Sequence, residues 1–255
     1  MKAKTRTTIK TFAMSSLLAL AACGGGGNGG AASGPAASAE GLWTGSTSTS
    51  RSVTGIVLDN GTYWVLFSVP QFSAVLAGFV QGTGASLSGS FSSSDGIDFN
   101  VAGQGSNNAT VSASYVAKQS FNGSVSYPNL NSPFTFTSSY NADYDQIPSG
   151  SAIVGTYTGI ASVVGSNELT TIAVSAQGVV LGTGLTSGCQ FLGTALPRAK
   201  GNLYDLSVVF SGGVCSNGTS AVTGIAYLDS GAKRLYLAAL DKSRSNGLSF
   251  VGIKP

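Results

Sequence analysis

Residues 41–45 read GLWTG, and residues 155–159 read GTYTG. In both, an aromatic residue is framed by two glycines and flanked by threonine. A second echo pairs VTGIVLDNG at 53–61 with VTGIAYLDSG at 222–231, and GTG at 82–84 returns at 182–184. The first pair opens each half of the chain, whereas the second lies early in one half and late in the other. A barrel tolerates such a shift, because its first and last strands are neighbours. These echoes predict two related halves.

Working outward from the echoes, the period of the sequence is two. TVSASYVAK at 110–118 sets Val111, Ala113, Tyr115 and Ala117 on one face, with Thr110, Ser112 and Ser114 on the other. SFNGSVSY at 120–127 sets Phe121, Gly123, Val125 and Tyr127 against Asn122, Ser124 and Ser126. NLYDLSVVF at 202–210 sets Tyr204, Leu206, Val208 and Phe210 against Asp205 and Ser207. Such alternation marks half-buried strands. No stretch beyond the first few dozen residues sustains a period of 3.6 for ten residues, so helix should be nearly absent.

Turn chemistry separates the strands at Asp59-Asn60-Gly61, Asn217-Gly218, Asp229-Ser230-Gly231 and Asn246-Gly247, as hairpin connections require. Asn122-Gly123 falls inside an alternating run and fits a bulge as well as a turn. Hairpin-linked strands must bury one face, which predicts an all-β chain of two small antiparallel β-barrels, or barrel-like sandwiches, in tandem. Pro148 and the glycines around it interrupt the alternation and place the boundary near 145–152. The expected halves are 41–147 and 148–255, each of ordinary domain size. One long two-sheet body is the alternative.

The N-terminus is of another kind. Lys2, Lys4, Arg6 and Lys10 precede an apolar or small run from Phe12 to Ala22, with no acidic residue before Glu40. A basic start followed by a short apolar core predicts a secretory signal over 1–22. Leu20-Ala21-Ala22-Cys23 then resembles the lipobox of bacterial lipoproteins. That resemblance implies cleavage before Cys23, acylation of its thiol and new N-terminus, and a membrane held through the acyl chains. Gly24 follows the cysteine rather than the aspartate that resembles an inner-membrane retention signal, so the implied address is the outer membrane of a Gram-negative bacterium. An ordinary secretory peptide with an incidental cysteine is the alternative. Residues 24–40 are rich in Gly and Ala and read as a flexible tether. The G-x-G-x-x-G match at Gly24, Gly26 and Gly29 has no strand before it and no helix after it, so it is not a nucleotide fingerprint.

Charge must be recounted after processing. The chain carries 13 basic and 10 acidic side chains, a formal net charge of +3. Four of the basic residues lie in the signal, so nine remain against ten acidic ones. No basic cluster is left to bind nucleic acid. Cys189 and Cys215 remain in the second half, and in an exported protein two leftover cysteines most simply pair. A hairpin turning at Ala199–Asn202 would run their flanking segments antiparallel and bring the two cysteines to the same end.

Catalytic chemistry finds little purchase. The chain contains no histidine, which removes Ser–His–Asp and Cys–His arrangements and histidine-based zinc sites. Paired carboxylates at Asp95/Asp98 or Asp143/Asp145 would be needed for a glycoside-hydrolase type of site. Both pairs lie in turn-like sequence, where Asp ordinarily bonds its own backbone. Asn141, Asp143 and Asp145 offer three oxygens to a calcium ion but lack the rest of a cage. The expectation is therefore no enzyme, no metal and no cofactor.

Aromatic residues are the better candidates. Trp43, Tyr63, Trp64 and Phe67 are the candidate binding residues. TYWVLF at 62–67 presents apolar side chains both ways, so its second face must be covered by the other half or by a ligand. Gly41-x-Trp43 on a first strand resembles the opening of lipocalin-type barrels, which implies a carrier of small apolar ligands. The plan of lipid anchor, glycine tether and β-barrel halves is similar to bacterial surface lipoproteins that bind transferrin or complement regulators. That likeness implies a non-enzymatic binding or envelope-interaction module with a protein partner at the cell surface or in the periplasm. The lipocalin-like carrier is the alternative.

Overall fold

The computed structural model describes residues 37–100, 105–129, 133–163 and 165–255. Cys23, the lipobox, the signal segment and most of the tether lie outside the described residues. Among the described residues, seventeen strands and one 3₁₀ turn make up the body. All strand pairings are antiparallel and no α-helix is present among the described residues.

The first nine strands are β1 (Gly41–Thr47), β2 (Ser52–Val57), β3 (Thr62–Val69), β4 (Phe72–Thr83), β5 (Ala85–Leu87), β6 (Ser90–Asn100), β7 (Gly105–Val116), β8 (Ser120–Ser126) and β9 (Phe134–Tyr140). They follow the order β4-β3-β2-β1-β9-β8-β7-β6-β5, and β4 also pairs with β6. That last pairing closes a ring of eight strands, with the three-residue β5 folded against β6 as an accessory. The remaining strands are β10 (Gly155–Val163), β11 (Ser166–Val174), β12 (Val179–Gly184), β13 (Gln190–Pro197), β14 (Tyr204–Phe210), β15 (Ala221–Asp229), β16 (Arg234–Leu240) and β17 (Gly247–Ile253). They close a second eight-strand barrel in simple chain order. Closure leaves the second sheet with no free edge and the first with only the short β5.

The opening echo is a structural one. β1 pairs with β2 and with the last strand β9, and β10 pairs with β11 and with the last strand β17. The Trp43 Nε1–H donates to the Ala39 carbonyl at 2.9 Å, and the Tyr157 hydroxyl donates to the Ile153 carbonyl at 2.9 Å. Ala39 and Ile153 are fully buried, so each upstream segment crosses and stoppers one end of its barrel. Glycine is required two residues past each aromatic. A Cβ at Gly45 would run into the Thr137 carbonyl oxygen, and one at Gly159 into that of Val251.

The second echo has no such equivalence. VTGIVLDNG supplies β2, the second strand of its barrel, and VTGIAYLDSG supplies β15, the sixth of its own. What the two segments share is a cluster: Ile56 and Ile225 lie in the same apolar seam between the barrels.

Barrel interiors are filled by alternate residues, as period two demands. Trp43, Tyr63, Phe91, Tyr115, Phe121 and Phe136 pack inside the first. Tyr157, Ile172, Phe191, Tyr204, Leu237 and Phe250 pack inside the second. The alternation in β7 and β14 is as the sequence predicts, with Val111, Ala113 and Tyr115 buried, and Tyr204, Leu206, Val208 and Phe210 likewise. Asn122-Gly123 is not a bulge: Asn122 faces Ser114 and Gly123 faces Ala113 in unbroken register. The irregularities fall instead at Phe67–Val69 in β3 and between Ser93 and Gly96 in β6.

The two barrels belong to one compact unit. Leu42, Ile56, Trp64, Leu66, Phe79 and Phe99 on the outside of the first meet Ile225, Tyr227, Ala238, Leu240 and Val251 on the outside of the second. Strands buried on both faces lose their alternation and read as continuous apolar runs, which explains TYWVLF in β3 and RLYLAAL in β16. Loops add polar ties. Arg244 donates to the Gln81 and Asp95 carbonyls at 2.7 and 2.9 Å, and Arg198 meets the Asp59 carboxylate at 3.6 Å. The 3₁₀ turn Ala142–Asp145 lies in the connection between barrels and buries Tyr144 in the seam.

Candidate ligand site in the mouth of the first barrel

At the end of each barrel opposite its stopper, the two halves differ. In the second barrel the segment between β14 and β15 folds over this end. Cys215 there is bonded to Cys189 just before β13, with 4.7 Å between their Cα atoms. The turn between β13 and β14 does run the two strands antiparallel. Asn217, buried in the same segment, donates to the Gly247 carbonyl at 3.3 Å. What space remains is about 30 Å³.

The first barrel keeps a cavity of about 150 Å³ at the corresponding end. Its walls are chiefly apolar: Val53, Val65, Phe67, Val80, Val125, Phe134 and Phe136 face it. A void of this size is large enough for a benzene-sized body. Three ionisable groups line it, Arg51, Asp98 and Tyr127.

Asp98 is 5% exposed. Its Oδ2 accepts a hydrogen bond from the Tyr127 hydroxyl at 2.5 Å. Its Oδ1 is buried with no partner. An orphaned buried acceptor costs about 1–3 kcal/mol, and more when charged, so such a group calls for a reason. Burial pushes the Asp98 carboxyl up to about 6, against the opposing pull of the Tyr127 hydrogen bond and the Arg51 charge. Burial, with the Asp98 charge and hydrogen bond, likewise raises the Tyr127 hydroxyl, which stays protonated and donates. Arg51 does not neutralise Asp98 directly. Its Nη1 donates to the Ser68 carbonyl at 2.8 Å, and its guanidinium lies 5.5 Å from the Phe67 ring centroid.

A bulge puts Asp98 there. Between Ser93 and Gly96, β6 gains one residue relative to β7, and a one-residue shift exchanges the two faces of a strand. Phe91 and Ser93 face inward before the bulge; after it Asp98 faces inward, while Phe99 turns outward into the seam. The candidate pair Asp95/Asp98 therefore diverges. Asp95 Oδ1 accepts from the Thr83 N–H and the Ser93 hydroxyl at 2.8 and 2.9 Å, and its other oxygen faces Arg244 at 3.8 Å. The pair Asp143/Asp145 does not converge on a common point either. Asp145 meets Lys118 Nζ at 2.7 Å and the Tyr140 hydroxyl at 2.9 Å, while Asp143 accepts from the Gln146 side chain. The Asn141 side chain, the third oxygen of the calcium alternative, accepts from the Asp143 N–H and caps the 3₁₀ turn.

Of the four aromatic candidates, one reaches the cavity. Phe67 forms part of its wall. Trp43 is fully buried at the stoppered end, and Tyr63 is buried below the cavity with its hydroxyl 3.0 Å from that of Ser93. Trp64 faces outward into the seam, so the second face of TYWVLF is covered by the other barrel. Arg51 and Tyr127 carry no signal of a site in their sequence, because nothing local says that separate strand ends converge; Phe134, which an aromatic strand sequence assigns to the core, lines the cavity.

The architecture thus defines a class: an all-β protein of two closed antiparallel eight-strand barrels, one filled and one with a cavity at its mouth. Neither a protein-family profile nor a curated protein matches the chain. Among solved structures it is similar to a proposed outer membrane protein from Bacteroides fragilis, with a TM-score of 0.27 and 14% identity over 84% of this chain and 96% of that one. It is also similar to intact Ap-TbpB, N and C lobes, with a TM-score of 0.29 and 11% identity over 80% of this chain and 66% of that one. Transferrin binding protein B from Haemophilus parasuis gives a TM-score of 0.25 and 9% identity over 80% and 66%. Similarity at this level assigns no activity.

Proposed function

We propose that the chain is an outer-membrane lipoprotein, anchored through acyl chains on Cys23, and that its body is a non-enzymatic binding module. The anchor rests on the lipobox-like Leu20-Ala21-Ala22-Cys23 and the glycine-rich tether that follows. The binding role rests on one observation: the first barrel keeps an apolar cavity lined by the buried Asp98, whose Oδ1 has no partner. A protein that only needed a solid body would fill this space with side chains, as the second barrel does. A protein partner inserting a side chain and a free small molecule are the two forms that binding takes. The carrier form is limited by volume, because about 150 Å³ falls short of the ~300–1,000 Å³ of pockets for larger ligands.

Two measurements test this. Palmitate labelling and membrane fractionation of wild type and Cys23→Ser should show acylated protein in the outer membrane and unacylated protein released. Equal recovery of both in the membrane, with no label in wild type, would refute the anchor. For the module, nuclear magnetic resonance of the released Cys23→Ser protein should show toluene perturbing Val65, Val80 and Phe134, and Val80→Phe should abolish the effect. Perturbation scattered over the surface, or none at all, would remove the mouth as a ligand site.

A further inference from the structure

The mouth carries enough chemistry to name a class of ligand. We propose that it binds a compact amphiphile whose protonated amine pairs with the Asp98 carboxylate while its benzene-sized apolar body lies among Val53, Val65, Val80 and Phe134. The proposal rests on the mouth being a ligand site, and adds what the ligand must be.

Three features point the same way. First, Asp98 lines the cavity, is 5% exposed, and has in Oδ1 a carboxylate oxygen without a donor. Tyr127 supplies one hydrogen bond, to Oδ2, which leaves the carboxylate with unused acceptor capacity. Second, among the described residues no Lys or Arg lies within ion-pair distance of Asp98. Arg51 is held on the Ser68 carbonyl and against Phe67. A carboxylate in an apolar wall gains most from a partner that is charged as well as hydrogen-bonding, since such bonds are about twice as strong as neutral ones. Third, the rings of Phe67, Tyr127, Phe134 and Phe136 line the same space, and aromatic faces attract ammonium groups. The volume limits the body to about a single ring.

Arg51 and Tyr127 are the other titratable groups on this wall. The Tyr127 hydroxyl, raised by burial and by Asp98, stays neutral throughout the acidic and neutral range, and Asp98 is the group that titrates. Because its carboxyl is pushed up to about 6, amine binding should be full near pH 7.5 and fade as pH falls through 6. Acidification places a proton where the ammonium would sit.

The experiment is a titration of the Cys23→Ser protein with benzylamine, benzyl alcohol, toluene and benzoate at pH 7.5, read by calorimetry and by resonance shifts at the mouth. Benzylamine should bind about tenfold or more tightly than toluene, the increment of a buried charge-assisted hydrogen bond. In Asp98→Asn the ratio of benzylamine to toluene affinity should fall toward one. The amide retains an acceptor for Tyr127, and the wild-type titration between pH 7.5 and 5 gives the same test without a substitution. Benzylamine binding no tighter than toluene, at the same residues, would overturn the ligand class and leave the site standing. A preference for benzoate would overturn it too, by making Arg51 the partner of the head group. If none of the four probes moves the mouth resonances, the site itself fails, and the proposal with it.

Discussion

Trp43 and Tyr157 hold equivalent places in the two barrels: each donates to the carbonyl four residues upstream, at 2.9 Å, and so draws its own leading segment across the barrel end. The relation ties a sequence echo to a structural job. The aromatic plugs the bore, its polar edge fastens the stopper, and the glycine two residues later lets the last strand approach.

That approach is testable. Gly45→Ala and Gly159→Ala each place a methyl group against a backbone oxygen, of Thr137 and Val251 respectively. Overpacking costs about 1–3 kcal/mol when side chains can move aside, and backbone moves less readily. Each variant should therefore unfold at clearly lower denaturant concentration than wild type. Gly55, whose added Cβ would meet ordinary contacts at 3.6 Å, should tolerate Ala far better. Equal loss at all three positions would contradict the close-approach account.

Asp98 makes stability depend on pH in an unusual direction. Its carboxyl is raised from 3.8 to about 6, so between those values the folded state holds a proton that the unfolded state has released. Its contribution to stability is present at low pH and is lost as pH rises through 4 to 6. A shift of about two units corresponds to roughly 3 kcal/mol at most. Asp98→Asn should accordingly be more stable than wild type at pH 7.5, with the difference shrinking toward pH 4. Parallel melting temperatures at all pH values would show that Asp98 is not held uncomfortably.

The disulfide closes a loop with a sequence separation of 26, for which the chain-entropy model gives about 3–4 kcal/mol. Reduction should lower thermal stability by that order. Because the bond fastens the segment over the second barrel's end, hydrogen exchange should rise first in β13 to β15 while the mouth of the first barrel stays unchanged. Two titratable thiols in protein isolated from the envelope would refute the bond.

The seam should make the barrels unfold together. Trp64 is 5% exposed and packs with Phe79 at a ring-centroid distance of 5.7 Å. Trp64→Ala should cost about 3–5 kcal/mol and lower the unfolding of both barrels, followed by circular dichroism and by exchange in β16 and β17. Loss confined to the first barrel would mean that the seam carries little coupling.

Much of the fold was legible before any coordinates. Alternation in β7 and β14 marked both the strands and the buried face, because a strand's side chains strictly alternate and one face here meets solvent. The paired GLWTG and GTYTG marked the two opening strands, since a stopper and a close approach demand the same residue types. Pairing of Cys189 with Cys215 followed from the hairpin between them. Alternation failed wherever both faces are buried, as in β3 and β17, and wherever a bulge changes the phase. The bulge before Gly96 is why Asp98 read as a turn residue beside Asp95.

By itself, then, the sequence determined strands, two related halves and the absence of histidine, because these depend on local pattern and composition. Which faces meet in the seam, which barrel is filled, and where Asp98, Tyr127, Arg51 and Phe134 converge were decided only by tertiary structure. A site assembled from the ends of separate strands depends on register, and register is set by long-range pairing and a single inserted residue rather than by any stretch that holds the site.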